Sequence, residues 1–332
     1  MRGGRLSSVL VVAVSATVLA FPAEAGQHPV QAPGGRVAIF YYPWYSTPAR
    51  DGGWAHWYVD RDGAPVLSTA YFPSRGLYSS SNAKVVDAQM REIAEAGVDT
   101  VIVSWWGWDS PEDKRLPLVL QATARHGLGV AIHVEPYRGR TPESTAEAIS
   151  TLHAKDGIRD FFVYDADRDP TADWAAVLAP LQGVRVFAQT TLVGKARASG
   201  FDGLYPYDVV TWNASLFRRL CTEAHEAGLL CAPSVGPGYD AWFATNDLLV
   251  RERDRGATYD RMWKGAIRSN ADLVTVTSYN EWQEGTQIEP ARSQIGRPGY
   301  EGAWGSSGLT AQRAYLTATA GWAGRFRSVA RQ

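Results

Sequence analysis

Two glutamates, Glu281 and Glu284, stand three residues apart just beyond an apolar, β-branched run from Leu273 to Thr277. Burying an ionised carboxylate is costly unless it is paired, so a core gains nothing from such groups. Acid–base chemistry, in contrast, uses two neighbouring carboxyl groups in different environments, one ionised and one kept protonated. If the chain turns after Asn280, the two side chains lie about one helical turn apart, with Cβ atoms roughly 5–6 Å from each other. Continued as a strand, they would point to opposite faces; Gly285 favours the turn. A short separation suits a retaining glycosidase, whereas an inverting one needs about 6.5–9.5 Å to admit its water. The bland alternative is a solvated acidic loop.

Other residues join the pair as candidates for holding a ligand. His133 and Glu135 alternate along one short run, so both face the same side. His133 fits either a hydrogen-bonded core histidine or a cleft group; Glu135, followed by Pro136, fits a hydroxyl-binding or carboxylate-positioning role. Tyr41, Tyr42 and Trp44, with His56 and Trp57 beyond them, belong to the first apolar run and its long loop. Trp106, Tyr137, Tyr205, Tyr239, Asn280 and Trp282 follow or end later runs. Arg253 either binds a hydroxyl, orients a glutamate or is simply a solvated surface cation.

The elements that must position these residues alternate regularly. Candidate strands are Val37 to Tyr42, Thr100 to Trp105, Gly129 to Val134, Phe161 to Tyr164, Val184 to Ala188, Gly203 to Tyr205, Leu229 to Ala232 and Leu273 to Thr277. Amphipathic helical segments lie between them: Ala83 to Ala96, Pro117 to His126, Ser144 to Leu152, Ser215 to Ala227 and Tyr259 to Arg268, with Leu309 to Arg327 closing the chain. Eight strand–helix units argue for an α/β fold of the (β/α)₈ TIM-barrel type, in which residues beyond the C-terminal strand ends face the active site. An open doubly wound sheet is the fallback, but no Gly-x-Gly-x-x-Gly turn follows the first strand. A single catalytic domain over residues 34–332 is the economical organisation.

Composition bounds the ligand. A formal charge of −1 over 332 residues gives no reason to expect nucleic acid or an anionic membrane as partner. Thirteen Trp and fifteen Tyr exceed what a core of this size needs. Rings with polar handles stack on ligand faces while hydrogen-bonding, which suits an oligo- or polysaccharide. No Cys or His spacing resembles a zinc site, and nothing singles out His133, Glu135 and a late glutamate as a metal set, so no metal or cofactor is expected. Arg2 and Arg5 before an apolar stretch from Leu10 to Phe21, then Ala23-Glu24-Ala25, read as a secretory signal over residues 1–25. A short tail, 26–33, follows, and the mature chain is expected outside the cell. Cys221 and Cys231 are the only cysteines; a disulfide and two buried thiols fit equally, because one reads as helical and the other as strand. Oligomeric state is not legible.

Taken together, Tyr41-Tyr42-Pro43-Trp44-Tyr45, His133-Val134-Glu135-Pro136-Tyr137 with Gly139-Arg140, Phe201-Asp202-Gly203, Pro233-Ser234-Val235-Gly236-Pro237-Gly238-Tyr239 and the stretch from Ser278 to Pro290 resemble glycoside hydrolase family 99, the endo-α-mannosidase family. The resemblance runs from residue 41 to 290 in the family's order. It implies a (β/α)₈ barrel that cleaves α-mannosidic linkages inside a chain, with retention and without a metal. It further implies that Glu281 acts as base on the substrate's 2-hydroxyl, giving a 1,2-anhydro sugar, and that Glu284 is general acid and then base. Gln283 stands where animal members carry histidine, Tyr279 where phenylalanine is common, and the segment after Tyr239 lacks an Arg-Pro-Trp-Asn-rich stretch. Those departures bear on substrate choice more than on catalysis. An endo-glycosidase for another α-glycan and a non-catalytic carbohydrate-binding barrel are the alternatives.

Overall fold

Strand and helix alternate because apolar β-branched runs alternate with capped amphipathic segments. The computed structural model describes residues 35–330. Its main sheet comprises β1 (Arg36–Tyr41), β2 (Thr100–Trp105), β3 (Gly129–Val134), β4 (Asp160–Val163), β5 (Arg185–Gln189), β6 (Gly203–Tyr205), β7 (Leu230–Cys231), β8 (Ser234–Val235) and β9 (Leu273–Val276). All neighbours are parallel, in the order β8-β9-β1-β2-β3-β4-β5-β6-β7. The seventh barrel strand is therefore two pieces, β7 on β6 and β8 on β9. Pro233 lies between them, and proline cannot donate to a ladder. Its carbonyl still accepts from Thr275 N at 3.1 Å. The expected strand ending at Ala232 is thus continued past the proline, and the sheet curls into the expected eight-unit barrel.

The principal flanking helices are α1 (Ala83–Glu95), α2 (Pro111–Arg125), α3 (Pro142–Asp156), α4 (Thr171–Leu178), α5 (Val193–Ala198), α6 (Ala214–Glu226), α7 (Ala257–Arg268) and α8 (Ala314–Ala330). Helix α2 begins six residues earlier than Pro117 suggested. Ser110 caps it, its hydroxyl accepting from Asp113 N, and Pro111 occupies the first turn, where a missing N–H costs nothing. The disulfide left open by the sequence is formed: Cys221 of α6 joins Cys231 of β7, with an S–S distance of 2.03 Å.

Two apolar layers follow from the period of two along each strand. Phe40, Tyr42, Ile102, Ala131, Phe162, Phe187, Tyr205 and Leu230 fill the barrel interior, while Ile39, Tyr41, Val101, Val103 and Ile132 pack outward under the helices. Gly203 belongs to this packing. A Cβ there would stand 2.6 Å from the Phe187 ring, so the strand with the weakest sequence signal is the one that must omit a side chain. The described residues lie in one compact unit. The expected signal and tail, residues 1–33, fall outside the described residues.

Candidate active site

The segment after β9 is a closed loop with a turn at its tip. Ser278 N donates to Thr286 O at 3.0 Å, Ile288 N to Ser278 O at 2.9 Å and Glu289 N to Tyr279 O at 2.8 Å, so the loop returns to its own base. At the tip, Gly285 N reaches Trp282 O at 3.3 Å, and Gly285 has φ 65°. A Cβ at Gly285 would also come to 3.0 Å from the backbone of Asp240, which donates its N–H to Glu284 O at 2.8 Å. The turn expected from Gly285 is therefore formed. It sets Glu281 and Glu284 on successive corners at the C-terminal mouth of the barrel.

Neither glutamate finds a cation among the described residues. Glu281 is 3% exposed, and its Oε1 accepts from Gln283 N at 3.0 Å. Burial, followed by the neighbouring charge of Glu284, pushes its carboxyl well above the ordinary range. Glu284 is half-buried and borders a cavity of about 290 Å³ shared with Tyr164, Gln189, Tyr207, Asp208, Tyr239 and Asp247. Burial, then the charges of Glu135 and Asp208, push it up to about 7, against the opposing effect of a hydrogen bond from Tyr207. Interacting carboxyls titrate as a pair, and both members of this one are held above the ordinary carboxylate range.

Around them lies a wall of rings and one further carboxylate. Ser104 Oγ donates to Glu135 Oε1 at 2.7 Å, and His133 Nδ1 lies 2.9 Å from the same oxygen. On its other side His133 Nε2 meets Tyr205 OH at 2.9 Å. Trp106 Nε1 donates to Ser104 Oγ at 3.2 Å. Trp44 stacks on His56 at 4.3 Å with only 3° between planes, and lies 4.6 Å from Tyr42 and 6.5 Å from Trp106. The Tyr42 and Tyr207 hydroxyls are hydrogen-bonded to each other, so Tyr42 joins the chain that ends on Glu284. His56 and Gln283 are also paired, Nδ1 to Oε1 at 3.3 Å.

The structure thus gathers Tyr42, Trp44, Trp106, His133, Glu135, Tyr239, Glu281 and Glu284 around the mouth. It removes others from that surface. Tyr41 faces outward, one residue out of phase with Tyr42, and its hydroxyl donates to Gln89 at 2.7 Å. Trp282 is fully buried, with Nε1 on Glu289 at 2.8 Å. Asn280 is buried too, exchanging hydrogen bonds with the Tyr42 backbone, N to Oδ1 at 2.8 Å and Nδ2 to O at 2.9 Å. Tyr205 is buried beneath the mouth on His133. Tyr137 packs against Trp105 and Gly107. Arg253 is neither a surface cation nor a hydroxyl binder. It is enclosed by the rings of Tyr71, Tyr300 and Tyr315 at 4.5–4.8 Å, and its Nη2 donates to Gly285 O and Gln287 O at 2.8 and 2.7 Å. It holds the backbone that carries the glutamates.

Asp208, Asp247, Tyr164 and Ser104 were not among the sequence candidates, whereas Tyr207 belongs to the strand-end segment Tyr205-Pro206-Tyr207 expected to face the site. Tyr207 had a usable signal, since it stands beyond a strand end beside Pro206. Asp247 had none, because it arrives from a loop folded back through the ribbon of Tyr239–Asp240 and Val250–Arg251.

A glycoprotein endo-α-1,2-mannosidase-like protein of Danio rerio is 29% identical over 321 residues, covering 77% of this chain and 71% of that protein. The glycoprotein endo-α-1,2-mannosidase of Mus musculus is 28% identical over 312 residues, covering 76% and 67%. The solved GH99 endo-α-mannosidase from Bacteroides thetaiotaomicron superposes with a TM-score of 0.78 at 27% identity, over 89% of this chain and 98% of that one. Residues 35–328 match the model for Glycosyl hydrolase family 99. The chain belongs to that family and is a glycoside hydrolase.

Proposed function

We propose that this protein is a retaining, endo-acting hydrolase of α-mannosidic linkages, working through Glu281 and Glu284. The observation that carries the reading is the pair itself: two carboxyls set by one turn at the barrel mouth, with no cation paired to them among the described residues, and both pushed by burial above the ordinary carboxylate range. The names of the relatives supply the sugar. In the productive arrangement the proton sits on Glu284 and Glu281 is ionised. Its raised basicity suits it to take the proton of the substrate's 2-hydroxyl as that oxygen attacks C1. The glycosidic C1–O bond breaks, and Glu284 gives its proton to the leaving oxygen. Water then opens the resulting 1,2-anhydro sugar at C1; Glu284 takes the water's proton, and Glu281 returns its proton to O2. Two inversions at C1 give retention, with one water consumed.

Support for the outer parts of the site is chemical. Half-buried Trp44, His56 and Trp106 supply rings suited to stacking on a sugar, and Glu135 supplies a polar group beside them. Following the reaction on a panel of α-mannans and α-glucans tests the assignment. Release of oligosaccharides from α-mannan, with the α-anomer appearing first by proton NMR, is expected. A β-configured first product would rule out retention, and turnover of α-glucan alone would move the enzyme to another substrate. Export from the cell belongs to the same proposal; a secreted product beginning near Gly26, identified by N-terminal sequencing, is the expected result.

A further inference from the structure

Val210 lines the cavity beside Glu284 and also a larger groove of about 1210 Å³ running between the start of α6 and the face of α7. The two spaces share a wall as well, because Leu249 of the first is followed in the chain by Val250 and Arg251 of the second. The groove is cationic: Arg251, Arg255, Arg261, Lys264 and Arg268 line it, against the carboxylates of Glu252 and Asp254. Arg261, Lys264 and Arg268 recur at three- and four-residue spacing on the exposed side of α7. Like charges at that spacing repel, although Asp260 stands four residues before Lys264, whose Nζ lies over the Trp322 ring at 5.9 Å.

Partners within the chain offset it only in part. Arg261 reaches exposed Asp254 at 3.1 Å and Thr258 Oγ1 at 2.8 Å. Arg251 is bound to the Val210 carbonyl. Arg255 and Arg268 have no hydrogen bond or ion pair among the described residues. Guanidinium groups are planar forks that suit phosphate oxygens, and several can share one polyvalent anion. The chain's overall charge is near zero, so this concentration of cations beside a sugar cleft is local.

We propose that the groove binds a phosphate group carried on the mannoside chain, which makes the enzyme selective for phosphate-bearing glycans. This rests on the α-mannoside reading above and specifies its substrate further. The test uses Glu284→Gln protein, titrated calorimetrically with a phosphate-bearing α-mannan and with the same mannan after enzymatic dephosphorylation. Affinity about tenfold higher for the phosphate-bearing form at low salt is expected, shrinking severalfold at high ionic strength. Adding Arg255→Gln and Arg268→Gln should abolish the difference. Those two substitutions in otherwise unaltered enzyme should leave turnover of a short neutral α-mannoside and the melting temperature unchanged.

Equal affinity for the two mannans, with neutral substrate still hydrolysed, would overturn the groove and leave the catalytic reading standing. Failure to bind or hydrolyse either mannan would remove both. Inorganic phosphate and vesicles of phosphatidylglycerol in phosphatidylcholine serve as further arms. If the same arginines governed vesicle binding while the two mannans remained indistinguishable, the phosphate-glycan assignment would be wrong.

Discussion

One loop carries three buried or half-buried glutamates, and they live in opposite surroundings. Glu289 is fully buried and receives four donors: Arg75 Nε at 2.8 Å, Tyr78 OH at 2.7 Å, Gln89 Nε2 at 2.9 Å and Trp282 Nε1 at 2.8 Å. Its pKa too is raised, by burial first and by the charge of Glu92, but Arg75, Gln89 and Tyr78 pull the other way. Five to eight residues earlier, Glu281 and Glu284 have backbone and tyrosine donors, no cation and each other's charge nearby. Burial alone therefore does not mark a catalytic carboxylate. A satisfied buried carboxylate is a structural bolt, while an under-compensated one holds a proton that chemistry can use.

The largest effect that could break this comparison is kinetic. Glu281→Gln or Glu284→Gln should lower kcat on an activated α-mannoside disaccharide by about 10²–10⁴-fold, the usual worth of a positioned acid or base, with the fold intact. Wild-type rates in either variant would defeat the assignment. Next in size is the structural counterpart. Glu289→Ala takes the shared acceptor from Tyr78, Gln89 and Trp282 and leaves Arg75 paired with Glu92 alone, and should cost about 3–5 kcal/mol in a denaturant titration, since it breaks a buried hydrogen-bonded ion pair. A loss under 1 kcal/mol would show that the network is not holding the loop.

A smaller pair of changes should move the pH profile in opposite directions. Tyr207→Phe removes the donor that stabilises ionised Glu284, so the alkaline limb of kcat/KM should shift to higher pH. Asp208→Asn removes a like charge, so that limb should shift to lower pH. Shifts of the same sign would contradict the electrostatics. Smallest is the dependence of stability on pH. Both folded-state pKa values lie above the unfolded ones, so these groups cost stability as pH rises past the unfolded value, and fully so above the folded one. Glu284→Gln should therefore raise the melting temperature at pH 8 by roughly 2 °C, as for a gain of about 1 kcal/mol in a chain of this size. The gain should vanish near pH 4.

Much of this arrangement was legible in the sequence because it depends on local pattern. Alternating runs located the barrel strands, and Gly285 located the turn between the glutamates. The direction of a ring was harder to read. Tyr41 and Tyr42 look equivalent by type, yet alternation sends Tyr42 inward and Tyr41 onto Gln89. Trp282 was chosen for its chemistry, but its indole is drawn down to Glu289 by a hydrogen bond. For Arg253 three roles stay open in the sequence because no pattern there announces that Tyr71, Tyr300 and Tyr315 converge on it. Asp208 and Asp247 were missed because their place beside Glu284 is made by loops from distant parts of the chain. The division of labour within the last loop was equally hidden: Arg75, Tyr78 and Gln89 reach Glu289, whereas Glu135, Tyr207 and Asp208 act on Glu284, and neither set is near these glutamates in sequence.

The most direct measurement sets the two kinds of carboxylate against each other. Glu284→Gln and Glu289→Gln would be assayed on the same α-mannoside at pH 6, with rates expressed per folded molecule and melting temperatures recorded in parallel. The account predicts that Glu284→Gln loses about a thousandfold in kcat without losing stability, and that Glu289→Gln melts earlier but retains turnover within about tenfold. A stable Glu289→Gln protein without activity, beside an active Glu284→Gln protein, would contradict it.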